Sequence, residues 1–170
     1  NQPYPDYELL VTVRTPEDLP ASVVPANARL VIAGPPPPDT GEKIGNLLAA
    51  VRAADPSSEV FVFADSDGRV GPRWLPVLVD ALDTPGTGAA TGYRWHLPAR
   101  ADLPSLLRSV WNAVIAGSLH PKATFCWGGA TAIRRDTFEA LDIPAWWQGT
   151  ISDDYRLSQA VRHGGRTIVF

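Results

Sequence analysis

Glu59-Val60-Phe61-Val62-Phe63-Ala64-Asp65-Ser66-Asp67-Gly68 is the stretch on which the fold turns. Val60 to Ala64 is an unbroken apolar run of strand length, as expected for a strand covered on both faces of a parallel sheet. The run passes directly into two carboxylates separated by one residue. Alternation along a strand sends Asp65 and Asp67 to the same side and Ser66 to the other. Like charges so placed repel, and a divalent cation relieves the repulsion by taking their oxygens. The carboxyl edge of a parallel sheet is also where open α/β folds bind ligands. Asp-Gly is equally ordinary turn chemistry, so the segment alone reads either as a cation site or as a strand-ending turn.

Outward from this stretch, strand-like and helix-like segments alternate. Tyr7 to Val13 and Arg29 to Ala33 are short, β-branched and apolar, and Lys43 to Ala54 puts Ile44, Leu47, Leu48 and Val51 on one helical face. Between them Gly34-Pro35-Pro36-Pro37-Pro38-Asp39-Thr40-Gly41 reads as a polyproline spacer loop. Pro72 opens a helix with Trp74, Leu75, Leu78 and Leu82 inward. Ala89, Thr91, Tyr93 and Trp95 alternate as a strand, and Pro104 starts a longer helix with two apolar rows, Leu106/Val110/Val114 and Leu107/Trp111/Ile115. Trp74 and Trp111 are expected in the core. Asp136 and Glu139 have capping-box spacing, and Ser152 caps a last helix ending at Gly164, before the strand Arg166 to Phe170. The expected architecture is one α/β domain over residues 1–170, a mostly parallel sheet flanked by helices.

Composition narrows the function classes. Fifteen basic against eighteen acidic residues give a formal charge of -3, which excludes nucleic-acid binding through a whole-chain basic field. The single cysteine, Cys126, excludes an internal disulfide framework. No stretch approaches the roughly 18–20 apolar residues of a membrane span, and no signal peptide opens the chain. Methionine is absent even at position 1, and Thr167-Ile168-Val169-Phe170 stops inside a strand-like segment, so the expectation is a domain excised from a longer parent.

Two further constellations bear polar chemistry. In Ile151-Ser152-Asp153-Asp154-Tyr155, the acids either satisfy the first turn of a helix or present a carboxylate able to take a proton from a substrate hydroxyl. In Phe125-Cys126-Trp127-Gly128-Gly129 through Ile133-Arg134-Arg135, the glycines allow close backbone approach and the indole a stacking face, while an arginine could meet phosphate; a β-turn with solvated arginines is the plain alternative. Cys126 reads as a packed side chain, and His96, His120 and His163 share no ligand spacing. Trp146-Trp147 fits core packing and acceptor binding equally.

Lys43-Ile44-Gly45-Asn46-Leu47, Asp65-Ser66-Asp67, Thr91-Gly92, Trp127-Gly128-Gly129 through Arg135, and Asp153-Asp154 resemble, in order, the landmarks of processive-type family 2 glycosyltransferases, in particular the ceramide glucosyltransferase-like branch. The resemblance implies a nucleotide-sugar-transferase fold of GT-A-like type. By it, Asp65 and Asp67 hold the donor and its divalent metal (magnesium or manganese), Asp67 more directly. Lys43 and Asp153 lie on the nucleotide side, and Asp154 is the catalytic base. Trp127, Gly128, Gly129 and Arg134 contact sugar and acceptor. It further implies inverting transfer of a hexose, from a donor such as UDP-hexose, to a lipid hydroxyl of ceramide type. The parent would be membrane-anchored with this domain facing the cytoplasm. The family's nucleobase-binding first strand and its later Q/R-x-x-R-W motif are not in the chain, so a non-catalytic nucleotide-sugar-binding fragment is an alternative. Val62 to Gly68 also looks like the first motif of haloacid-dehalogenase-type phosphatases, with Asp65 as nucleophile, Asp67 as acid and a required later lysine, for which Lys122 is available.

Overall fold

The computed structural model describes residues 2–19, 24–117 and 124–170. Among these residues two sheets are formed. Strands β1 (Leu9–Val13) and β2 (Ala28–Ile32) pair in parallel, and helix α1 (Glu42–Ala53) packs against both. Strand β3 (Val60–Ala64) belongs to a four-stranded sheet with β4 (Thr87–Thr91), β5 (Ala130–Arg134) and β6 (Thr167–Val169), in the order β3-β5-β4-β6.

This second sheet is mixed, which corrects the expectation of a mostly parallel one. β5 runs antiparallel to both β3 and β4, and only β4 and β6 are parallel. The apolar run of β3 encodes coverage on two faces, and that much is present. Phe61 and Phe63 point into one buried cluster, and Val60 and Val62 pack on another with Leu78 and Leu82. Strand direction leaves no such trace in a run of apolar side chains.

The larger cluster is aromatic at its centre. Phe61, Phe63, Phe138 and Trp147 pack at centroid distances of 5.2 to 6.5 Å, with Ile44, Leu48, Ile143 and Leu157 around them. Trp147 is thus a core residue. The side chains come from α1, α4 (Arg135–Ala140), α5 (Ile143–Trp147) and α6 (Asp153–His163), so one core fixes the starts of α1 and α6 relative to the end of β3. Helix α2 (Trp74–Ala81) covers the opposite sheet face, with Trp74 half-buried there.

Other expectations are corrected. β4 ends at Thr91, so Tyr93 and Trp95 lie beyond the strand. Helix α4 starts at Arg135, one residue before the expected cap, and Glu139 faces Arg135 rather than closing a capping box with Asp136. Helix α3 (Leu103–Gly117) forms as expected, but Leu106, Leu107, Val110 and Val114 of its apolar rows are exposed, and Trp111 is 78% exposed rather than in the core. Among the described residues no helix is long and apolar enough to cross a membrane.

Candidate functional site

The end of β3 hands the chain to a turn in which the Gly68 N–H donates to the Asp65 carbonyl at 3.3 Å. Both carboxylates of this turn meet one guanidinium. Arg94 Nη1 is 2.8 Å from Asp67 Oδ1 and 3.8 Å from Asp65 Oδ2. On its other side Asp65 meets Lys43, whose Nζ is 2.9 Å from Asp65 Oδ1 and 3.2 Å from Asp153 Oδ1. The ammonium therefore joins Asp65, after β3, to Asp153, at the opening of α6.

Local packing puts Lys43 there. The Gly41 N–H, at the start of α1, donates to the Thr150 carbonyl at 2.8 Å. The Thr40 hydroxyl accepts from the Gly149 N–H at 3.2 Å. A Cβ at Gly41 would lie 3.1 Å from Ile151 Cα, and one at Gly45 would lie 2.9 Å from Pro36 Cβ. The proline-rich loop is thus a spacer that clamps the start of α1 against the segment leading into α6.

Asp153 and Asp154 occupy the first turn of α6, where the helix dipole favours negative charge. They face different surroundings. Asp153 is buried, and its carbonyl accepts from Trp147 Nε1 at 2.9 Å. Asp154 is half-buried, and its Oδ1 accepts from the Ser152 hydroxyl at 2.8 Å and the Tyr155 N–H at 2.7 Å. Its Oδ2 receives the Gly128 N–H at 3.3 Å. Ser152 gives its hydroxyl to Asp154 instead of capping the helix backbone.

The glycine pair lies against both acid pairs. A Cβ at Gly128 would lie 2.8 Å from Lys43 Nζ and 3.3 Å from both Asp153 Oδ2 and Asp154 Oδ2; one at Gly129 would lie 2.6 Å from Asp65 Oδ2. Neither glycine has a positive φ, so close approach rather than backbone conformation requires them. Trp127 precedes them, its N–H donating to Thr91 Oγ1 at 2.8 Å and its ring 5.0 Å from that of Tyr93. Ser158 ties the segment to α6, accepting from the Cys126 N–H and donating to the Asp154 carbonyl.

Burial pushes the Asp153 carboxyl above its ordinary range, and the Asp154 charge adds to this against the pull of Lys43. Burial alone would lower the Lys43 ammonium, but its hydrogen bond to Asp65 and the charges of Asp153 and Asp65 carry it above its usual value. Burial drives the Cys126 thiol up to about 12, in keeping with a packed side chain.

The structure thus brings together Lys43, Asp65, Asp67, Asp153, Asp154, Trp127, Gly128 and Gly129. It does not bring Arg134, which lies at the far end of β5 opposite Val60 and pairs with Asp83. Sequence reading missed Arg94. Paired acids call for a cation, but fifteen basic residues could have supplied it and nothing in the local pattern marks this one. His120 and Lys122 lie outside the described residues, so the lysine of the phosphatase reading is not placed.

Among the described residues no group of three or more His, Cys, Asp or Glu side chains is arranged to hold a metal. Asp65 and Asp67 offer hard oxygen donors on an open turn. That donor set fits an ion of magnesium type, which takes one or two carboxylates and fills the rest of its shell with substrate phosphate oxygens and water.

Residues 38–142, more than half of the chain, match the family described as Glycosyl transferase family 2. A search of curated proteins returned no significant match. The matched span contains Lys43, the Asp65 turn, Arg94 and the glycine pair, while Asp153 and Asp154 lie beyond it. The chain belongs to glycosyl transferase family 2, whose membership implies a GT-A-like α/β fold and glycosyl transfer from a nucleotide-sugar donor.

Proposed function

We propose that this family 2 domain catalyses metal-dependent, inverting transfer of a hexose from a nucleotide-sugar, of UDP-hexose type, to the hydroxyl of a lipid acceptor such as ceramide. The observation that carries the proposal is the Lys43 bridge between Asp65 and Asp153, which brings one member of each acid pair to a single ammonium. A sugar diphosphate needs such an arrangement, with countercharge at the diphosphate and a proton acceptor near the anomeric carbon.

Asp154 is the residue suited to accept that proton. Its carboxylate is half-buried, is oriented by Ser152 and by the Tyr155 N–H, and has Oδ2 turned toward the glycine turn. The acceptor oxygen forms its bond to the anomeric carbon as Asp154 takes the hydroxyl proton, and the bond to the diphosphate oxygen breaks with its electron pair leaving on the diphosphate. Asp67 and Asp65 are the residues that would hold a divalent cation, which when bound would supply charge stabilisation at the diphosphate. Arg94 supports the same end of the site. Its Nε is buried with no acceptor among the described residues, as suits a donor that receives phosphate oxygen. Lys43 keeps its charge and can turn from Asp65 toward the diphosphate. Trp127 offers a ring face beside Gly128 for the sugar or acceptor, and Gly128 and Gly129 leave the space that any side chain would fill.

A transfer assay with labelled UDP-hexose, manganese and a ceramide-like diol tests this. Product with inverted anomeric configuration, lost on chelation, is expected. Phosphate release from a simple phosphoester in place of sugar transfer would overturn the proposal.

A further inference from the structure

Helix α3 is inverted for a surface helix in water. Its inward side is polar: the Ser109 hydroxyl donates to the His96 carbonyl at 2.7 Å, Asn112 Oδ1 accepts from the His96 N–H at 3.1 Å, and the Tyr93 hydroxyl donates to the Asn112 carbonyl. Its outward side carries Leu103, Leu106, Leu107, Val110 and Trp111, all exposed. At 100° per residue these positions fill an arc of roughly 140°, broader than the narrow seam of a coiled coil. Trp95 and Leu97, 60% and 86% exposed, add to the apolar surface beyond the end of β4. Apolar surface gathered in this way marks a contact face.

Charge indicates what the face contacts. The chain carries a formal -3, yet from Trp95 to Val114 the one acid is Asp102, against Arg100 and Arg108. Asp102 is turned to its own helix, its Oδ1 accepting the Ser105 N–H at 2.9 Å. Arg100 and Arg108 are exposed, and Arg108 stands at the border of the apolar arc. Tryptophan and leucine flanked by arginine complement an anionic lipid surface, where indoles settle at headgroup level and arginine stems reach phosphate. A second copy of the chain would be less well matched. A two-fold contact sets the same patch against itself, and the arginines would then oppose arginines.

We propose that the face formed by Trp95, Leu97, Leu103, Leu107, Val110 and Trp111 docks on an anionic membrane surface, with α3 lying in the interfacial plane and Arg100 and Arg108 on the headgroups. The inference rests on α3 and the segment from Trp95 to Arg100 before it, and is independent of the transferase reading. It also joins that site, because the rings of Trp95, Tyr93 and Trp127 follow one another at 5.5 and 5.0 Å from this face to the turn at Gly128.

Co-sedimentation of the chain with vesicles of phosphatidylcholine, alone or mixed with phosphatidylglycerol, tests the proposal. Binding to the mixed vesicles, with blue-shifted tryptophan emission and release at high salt, is expected. Leu107→Glu combined with Trp111→Glu should abolish it. Arg100→Ser and Arg108→Ser should each weaken it about fivefold. These side chains already stand in water, so the variants should keep the circular dichroism and thermal midpoint of the parent chain. A parent chain that stays in the supernatant with mixed vesicles overturns the proposal. So does a dimer that depends on Trp111 and forms without any vesicle binding, which would assign the face to a second copy.

Discussion

The two acid pairs are built differently. Asp65 and Asp67 stand on a turn, Asp67 is 75% exposed, and their partners are the ends of long cationic side chains, Arg94 and Lys43. Asp153 and Asp154 open a helix whose first turn is fastened by Trp147, Ser152 and Ser158, and Asp153 is buried. A pair that can exchange partners suits a charged ligand that comes and goes. A pair fixed by packing suits a proton acceptor whose position must not vary.

The sharpest way to break this comparison is Asp154→Asn. Turnover should fall by about 10²–10⁴-fold, with the thermal midpoint little changed. Transfer near the parent rate would show that the fixed pair is structural only. Next comes the glycine turn that separates the pairs. Gly129→Ala drives a methyl against Asp65 and should cost about 1–3 kcal/mol, read by denaturant unfolding and by loss of nucleotide affinity. Gly128→Ala meets the movable end of Lys43 and should cost less.

Lys43→Met sharpens the electrostatic side. Asp153 then keeps a buried carboxylate without its counterion, and stability at neutral pH should fall by about 1–2 kcal/mol, a figure moderated by the exposure of Lys43. The sign follows from burial, which raises the folded-state pKa of Asp153 above its unfolded value of 3.8. The native state then binds more protons between the two values, so stability is present below 3.8 and lost as pH rises through the folded value. Without Lys43 the carboxyl rises further, and the variant should recover toward the parent on acidification in a pH series of urea midpoints. Recovery on raising the pH instead would refute the placement.

The smallest effect comes from an acid remote from both pairs. Glu8 accepts from the Asp55 N–H at 2.6 Å and from Arg29 at 2.9 Å, and these bonds outweigh burial and lower its pKa below 4.5. Glu8→Gln should cost about 1 kcal/mol at neutral pH. Here the stability is present above 4.5 and lost as pH falls through the folded value, the reverse of Asp153. Equal pH trends for the two variants in urea unfolding would erase the distinction.

Legibility followed what a linear pattern can encode. The Val60–Ala64 run marks a strand with two covered faces and leads into acids, and both features are present. The opening of α6 and the glycine pair were likewise visible, because close backbone approach and a helix start restrict residue type. The antiparallel course of β5 was not visible, since ladder direction is set by the connection and not by side chains. Helical spacing in Leu106, Leu107, Val110 and Trp111 shows that one face is apolar; it does not show on which side the domain lies, and α3 faces the other way. Arg94 was hidden because its partnership with Asp65 and Asp67 exists only after β3 and β4 are set on either side of β5.

The central claim is that one site divides its work between a pair that binds and a pair that accepts a proton. Calorimetric titration of UDP with manganese into the parent chain, Asp67→Ala and Asp154→Asn tests it directly. The account predicts that Asp67→Ala loses about tenfold or more in affinity, the loss of one charged contact, while Asp154→Asn binds as the parent does. Equal loss in both, or normal binding in Asp67→Ala, would contradict it.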